Sequence, residues 1–171
     1  MRSSRQGPQK RLALRRPARV GPAPGGKTTM RVEISSRQAV LRCPAPAIRA
    51  VLRKALQMEG TDAELSVALV GDAEMEALNR RFLGRKGVTD VLAFPYGTQG
   101  GLVSGEIVVN AELARREAAA RSHTPLDELM LYLVHGLLHL LGYDDHKPAE
   151  RRKMHERERS ILAAAGHVVE S

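Results

Sequence analysis

His135, His139 and His146 lie close together in the segment HGLLHLLGYDDH, and their spacing has the form of a metal site. His135 and His139 are four residues apart on a strongly apolar stretch that reads as a helix. At that interval both imidazoles leave the same face, about 5–6 Å apart at Cβ, and two ring nitrogens can meet one ion at about 2.0–2.1 Å. Gly142 then stops the helix, because glycine readily takes the left-handed conformation needed there. Beyond it the chain is expected to fold back and bring His146 to the same ion. Three neutral imidazoles leave one tetrahedral position for water, the arrangement of a catalytic zinc site and not a structural one. A single histidine on an apolar face is ordinarily a hydrogen-bonded core residue. Two buried side by side without an ion would need costly polar partners. The other histidines, His123, His155 and His167, read as surface residues.

A zinc ion so placed would polarise an electrophilic oxygen and lower the pKa of water to about 7. Gly136 stands where the HExxH motif of metalloproteases carries its general-base glutamate, which argues against peptide hydrolysis. Phosphodiester cleavage can instead draw on the ion and on cations that stabilise developing phosphate charge. Asp144 and Asp145 are candidates to orient a histidine ring, and equally read as ordinary turn residues.

Several elements must hold these groups in place. Residues 30–36 alternate apolar and polar and predict a strand. Residues 46–58 open on Pro46, carry Ile48, Val51, Leu52, Ala55 and Leu56 at helical spacing, and close at Gly60. A strand over 64–70 follows, then a helix over about 73–83 with Asp72 as N-cap and Met75, Leu78 and Phe82 on its apolar side. Residues 89–94 look extended and are interrupted by Pro95, with a loop at Gly97, Gly100 and Gly101. A buried strand covers 103–109, and Asn110 caps a helix over about 111–121. Thr124, Pro125 and Asp127 form a capping-box start for the helix that carries the histidines. Pro148 opens a last helix in which Met154, Ile161 and Leu162 are available to pack. The order β-α-β-α-β-β-α-α-α predicts an α+β fold. It would be a single domain with a mixed sheet of about four strands, covered by about five helices, and the metal site at the end of a central helix.

Charge is unevenly distributed. Residues 1–29 hold eight of the 27 Lys and Arg and no acid, so the rest of the chain balances 19 basic against 19 acidic groups. The basic pI therefore does not by itself make the folded part a nucleic-acid binder. This proline- and glycine-rich stretch reads as a disordered basic tail or as a mis-assigned start, with Met30 the favoured true start. Residues 30–171 then form the catalytic domain. Cys43 is the only cysteine, which excludes an internal disulfide. Tryptophan is absent and aromatics are 3%, which disfavours an RNA surface built on stacking. No apolar run of about 18 residues occurs, so no membrane association is expected.

HGLLHLLGYDDH closely resembles the signature of the YbeY-type endoribonucleases, the bacterial rRNA maturation factors. LNRRFLGRKGVTDVLAFP (78–95) and GEIVVNAELARREA (105–118) resemble two further blocks of that family, with Glu106 in place of its Asp. The resemblance implies an α+β fold and one zinc ion per chain held by His135, His139 and His146. It implies single-strand-specific RNA cleavage in small-subunit rRNA maturation and ribosome quality control, with the ribosome as partner and the bacterial cytoplasm as setting. The family's usual spacing puts the third histidine directly after the first Asp of GYD. Here an extra Asp intervenes, making Asp144 and Asp145 competitors as ligands. Leu83 stands where the family usually has an arginine that contacts RNA. Arg81 and Arg85 flank it, as RNA contacts or as solvated helix-end charges. Thr89, at the start of the extended segment, lines the cleft in the family. Two alternatives stay open: a ribosome assembly factor with a structural zinc, and a metal-dependent hydrolase of another substrate.

Overall fold

A computed structural model describes residues 28–169. The basic stretch, apart from residues 28 and 29, lies outside them. The strands are β1 (Met30–Ser36), β2 (Asp62–Val70), β3 (Val91–Gln99) and β4 (Leu102–Asn110). They form one mixed sheet in the order β1-β2-β4-β3, with β1, β2 and β4 parallel and β3 antiparallel to β4. The helices are α1 (Ala45–Glu59), α2 (Asp72–Leu78), α3 (Ala111–Ala120), α4 (Pro125–Leu140) and α5 (Pro148–Ala164). The expected α+β class and element order are therefore observed. Among the described residues no helix is long and apolar enough to cross a membrane.

α4 is the central helix, packed against α1, α3, α5, β3 and β4. Thr124 and Asp127 close the expected capping box at its start. Leu129, Met130, Leu133, Val134, Leu137 and Leu138 are buried around it, each worth about 1.5–3 kcal/mol of transfer free energy. What remains partly open is a stripe at four-residue spacing, Leu131, His135 and His139. The packing of the helix thus selects the one face on which an imidazole can meet a ligand.

Local expectations fail at five places, each for a tertiary reason. Gly71 and not Asp72 caps α2; the Asp72 carboxylate instead accepts from Asn110 and Arg116 of β4 and α3. Glu112 from α3 supplies the missing cap by accepting the Asp72 N–H at 3.0 Å. Regular winding stops at Leu78, and Asn79–Leu83 forms a π turn. The wider turn rotates Phe82 off the apolar stripe, so it is 53% exposed and meets Phe94 edge to face. β3 runs through Pro95 to Gln99, because an edge strand needs no N–H there and a bulge between Pro95 and Gly97 absorbs the shift. Gly100 and Gly101, both at positive φ, turn the resulting hairpin. His123 is not a surface residue: its side chain is 2% exposed, against the buried Glu128 carboxylate that Arg121 also binds. His167 is likewise half-buried and paired with Asp127 at 2.7 Å, whereas His155 is exposed as expected.

Candidate metal centre

His135 and His139 project from the last turns of α4 with their Nε2 atoms 2.9 Å apart. Each ring is held through its other nitrogen. His135 Nδ1 lies 2.7 Å from Glu158 Oε1, and His139 Nδ1 lies 3.2 Å from the Tyr143 carbonyl oxygen. An ionised carboxylate and a carbonyl only accept, so both Nδ1 atoms carry the hydrogen and donate it. The two Nε2 atoms then face each other at a distance where two bare lone pairs repel, so a shared proton or a metal cation must lie between them. Burial and the neighbouring His135 charge hold His139 below the usual imidazole range. Burial acts the same way on His135, but the hydrogen bond and charge of Glu158, with Asp90 and Asp145, outweigh it and raise its pKa. Any first proton on the pair therefore sits on His135.

The third donor in reach is a carboxylate. Asp145 Oδ2 lies 3.7 Å from His135 Nε2 and 3.8 Å from His139 Nε2. His135, His139 and Asp145 make one group able to hold a metal ion; Asp144, Asp145 and His146 make an adjoining, more exposed one. His146 is thus not brought to the histidine pair as expected. Its side chain is 68% exposed and engages Asp144. The extra residue is the cause. Burial alternates along the turn after α4 from Tyr143 to His146, so a one-residue shift exchanges an inward position for an outward one.

Glu158 was not legible as a site residue, being hidden in the charged run of α5. A signal did exist: with Met154, Ile161 and Leu162 it occupies the buried stripe of that helix, a position where an acid needs a partner. His135 and Glu158 also border a cleft of about 400 Å³, together with Thr89, Asp90, Leu113 and Tyr132. Thr89 therefore shares this cleft with His135, its hydroxyl donating to Asp90 at 2.9 Å. Arg81 and Arg85 do not line this cleft. They lie exposed on and after the π turn, with the Arg81 guanidinium over the Phe82 ring.

This geometry can be set beside known proteins. A family model described as Endoribonuclease YbeY matches residues 33–166. The chain belongs to the YbeY family. Its relative in Halorhodospira halophila, named Endoribonuclease YbeY, is 41% identical over 128 residues, 71% of this chain and 83% of its own length. The relative of that name in Anaeromyxobacter sp. (strain Fw109-5) is 42% identical over 130 residues, 75% of this chain but 65% of its own length. A Thermotoga maritima protein solved in solution has a similar fold, with TM-score 0.53 over 80% of this chain and 91% of that one at 24% identity. Within this YbeY-family chain the exposed Leu83 sits on the π turn, outside the cleft, so the flanking arginines are the cations nearest to it in sequence.

Proposed function

We propose that this chain is a zinc-dependent, single-strand-specific endoribonuclease that matures small-subunit ribosomal RNA in the bacterial cytoplasm, with the ribosome as its partner. One observation carries the metal dependence: two imidazoles whose Nδ1 atoms are committed to acceptors turn their Nε2 atoms to each other at 2.9 Å, with the Asp145 carboxylate oxygen within 3.8 Å of both. The donor set, imidazoles beside a carboxylate, suits zinc. In this reading His135 and His139 hold the ion with a third group from the Asp144–His146 turn. When bound, the ion supplies Lewis acidity to the phosphodiester and to water. Glu158 fixes the tautomer and orientation of His135, and the Tyr143 carbonyl does the same for His139. The side chains of His135 and His139 are only 20% and 30% exposed, recessed beside the cleft. A flexible single strand can present its backbone there, whereas a rigid duplex would be held off at the rim. Thr89 lies where an incoming strand would pass, and Arg81 and Arg85 extend the contact outside.

Chelation tests the reading directly. Metal-free protein is expected to leave single-stranded RNA intact, and stoichiometric zinc to restore cutting of single-stranded but not duplex RNA. Equal rates before and after chelation would sink it. Removing the partner of His135 should act through the metal and not the fold. Glu158→Gln is expected to weaken zinc binding by about 10-fold and Glu158→Ala by nearer 100-fold, the range for lost ligand-orienting groups. Chelator competition measures both, and an unchanged affinity in Glu158→Ala would remove Glu158 from the site.

A further inference from the structure

We infer that the third protein ligand to the ion is the carboxylate of Asp145, giving a two-histidine, one-aspartate site from which His146 is excluded. The inference rests on the metal-dependent reading above and adds the identity of the donor. The three atoms His135 Nε2, His139 Nε2 and Asp145 Oδ2 form a triangle with sides of 2.9, 3.7 and 3.8 Å. A triangle of that size has a circumradius of about 2.0 Å, which matches the about 2.0–2.2 Å that zinc keeps to nitrogen and carboxylate oxygen. The nearly equal distances from Asp145 to both rings place its oxygen over the gap between them, not beside one ring as an orienting acceptor would stand.

The backbone fixes Asp145 from both directions. The Schellman-type end of α4 brings the Tyr143 N–H to the Leu138 carbonyl at 2.9 Å, with Gly142 at φ 87°. The Tyr143 hydroxyl then donates to Glu59 at the end of α1, at 3.1 Å. On the other side Arg151 of α5 donates to the Asp145 carbonyl oxygen at 3.1 Å. Between these anchors burial alternates: Tyr143 and Asp145 are part-buried while Asp144 and His146 are exposed. His146 is also occupied. Its N–H donates to Asp144 Oδ1 at 3.0 Å and its ring meets the same carboxylate. Its Nδ1 lies 3.8 Å from Asp145 Oδ1 but is taken by Asp144, so bringing the ring to the pair would require breaking both contacts. The carboxylate changes the chemistry as well. It cancels one unit of the ion's charge, and a site of two imidazoles and one carboxylate accepts harder divalent ions than one of three imidazoles.

Zinc content, zinc affinity by chelator competition and the visible spectrum of the cobalt-loaded form, measured on the full chain, decide the matter without reference to activity. Wild type should bind one zinc; failure there overturns the metal-dependent reading itself and is distinct from failure of the ligand assignment. Asp145→Asn is expected to lose at least about 100-fold in zinc affinity, the upper end of the loss when a group that merely orients a ligand is removed. His146→Ala is expected to stay within about 3-fold of wild type, since it loses only a solvent-exposed group. Asp145→His should recover tight binding with a shifted cobalt spectrum, showing that the position and not general misfolding is responsible. Far-UV circular dichroism of the metal-free forms guards the same point. Loss of zinc in His146→Ala, or its retention in Asp145→Asn, overturns the inference.

Discussion

His139→Ala is expected to abolish stable zinc retention and to lower RNA cleavage by at least about 100- to 1,000-fold, the range seen when one preorganised electrostatic group is removed. The variant keeps His135 and its Glu158 partner but loses one of two rings whose Nε2 atoms lie 2.9 Å apart. A single imidazole with a carboxylate 3.7 Å away cannot enclose a small cation. The fold should survive, because the His139 side chain is already 30% exposed. Metal-free His139→Ala should therefore melt within about 1 kcal/mol of metal-free wild type, as substitutions away from core contacts do. Zinc should separate the two proteins. At a free zinc concentration 100 times Kd, wild type gains about 2.7 kcal/mol, roughly 5–10 °C in Tm for a domain of this size. The variant should gain nothing. A variant that still melts higher in zinc, or still cuts RNA at the wild-type rate, would refute the role given to this ring.

What the sequence makes legible here is what is local. The capping box at Thr124, the stop at Gly142 and the i,i+4 histidines depend on neighbours within one or two turns, and all appear where spacing places them. Contributions from distant segments were not legible. Glu158 reaches His135 from the next helix, and Glu112 caps α2 from 40 residues away. His123 reads as a surface residue, yet its side chain is buried against Glu128. Side-chain parity in a short turn is the subtlest of these effects. Asp145 and His146 differ by one position, and only the anchoring of Tyr143 on Glu59 and of the Asp145 carbonyl on Arg151 decides which of them faces inward.

Gly136 carries the second large prediction: Gly136→Glu is expected to yield no folded, soluble protein. The residue occupies the position at which an HExxH helix holds its general base, so this substitution formally completes that motif. Packing explains why it is glycine. A Cβ there would lie 2.8 Å from Ile107 Cγ2 and 2.8 Å from Val91 Cγ2, against the about 3.5–4.0 Å that carbon atoms keep. Both neighbours are β-branched, stiff at χ1, and part of β4 and β3. The helix is pressed against the same strands at a second glycine. A Cβ at Gly105 would meet Leu140 at 2.8 Å and the Phe94 carbonyl oxygen at 2.9 Å. A carboxylate at 136 would thus be forced into a closed seam between helix and sheet, and an unpaired buried charge costs several kcal/mol. With the overlap, that consumes most of the about 5–15 kcal/mol by which a domain is stable. Gly136→Ala is the graded control. Overpacking costs about 1–3 kcal/mol, and the gain of a better helix former returns about 1 kcal/mol. Its Tm should therefore fall by only a few degrees while zinc binding persists, because His135 and His139 leave α4 on the part-open stripe beside the seam and not within it. A folded Gly136→Glu with wild-type Tm would show that the seam is open enough to admit a base, and the packing reason for the glycine would be wrong.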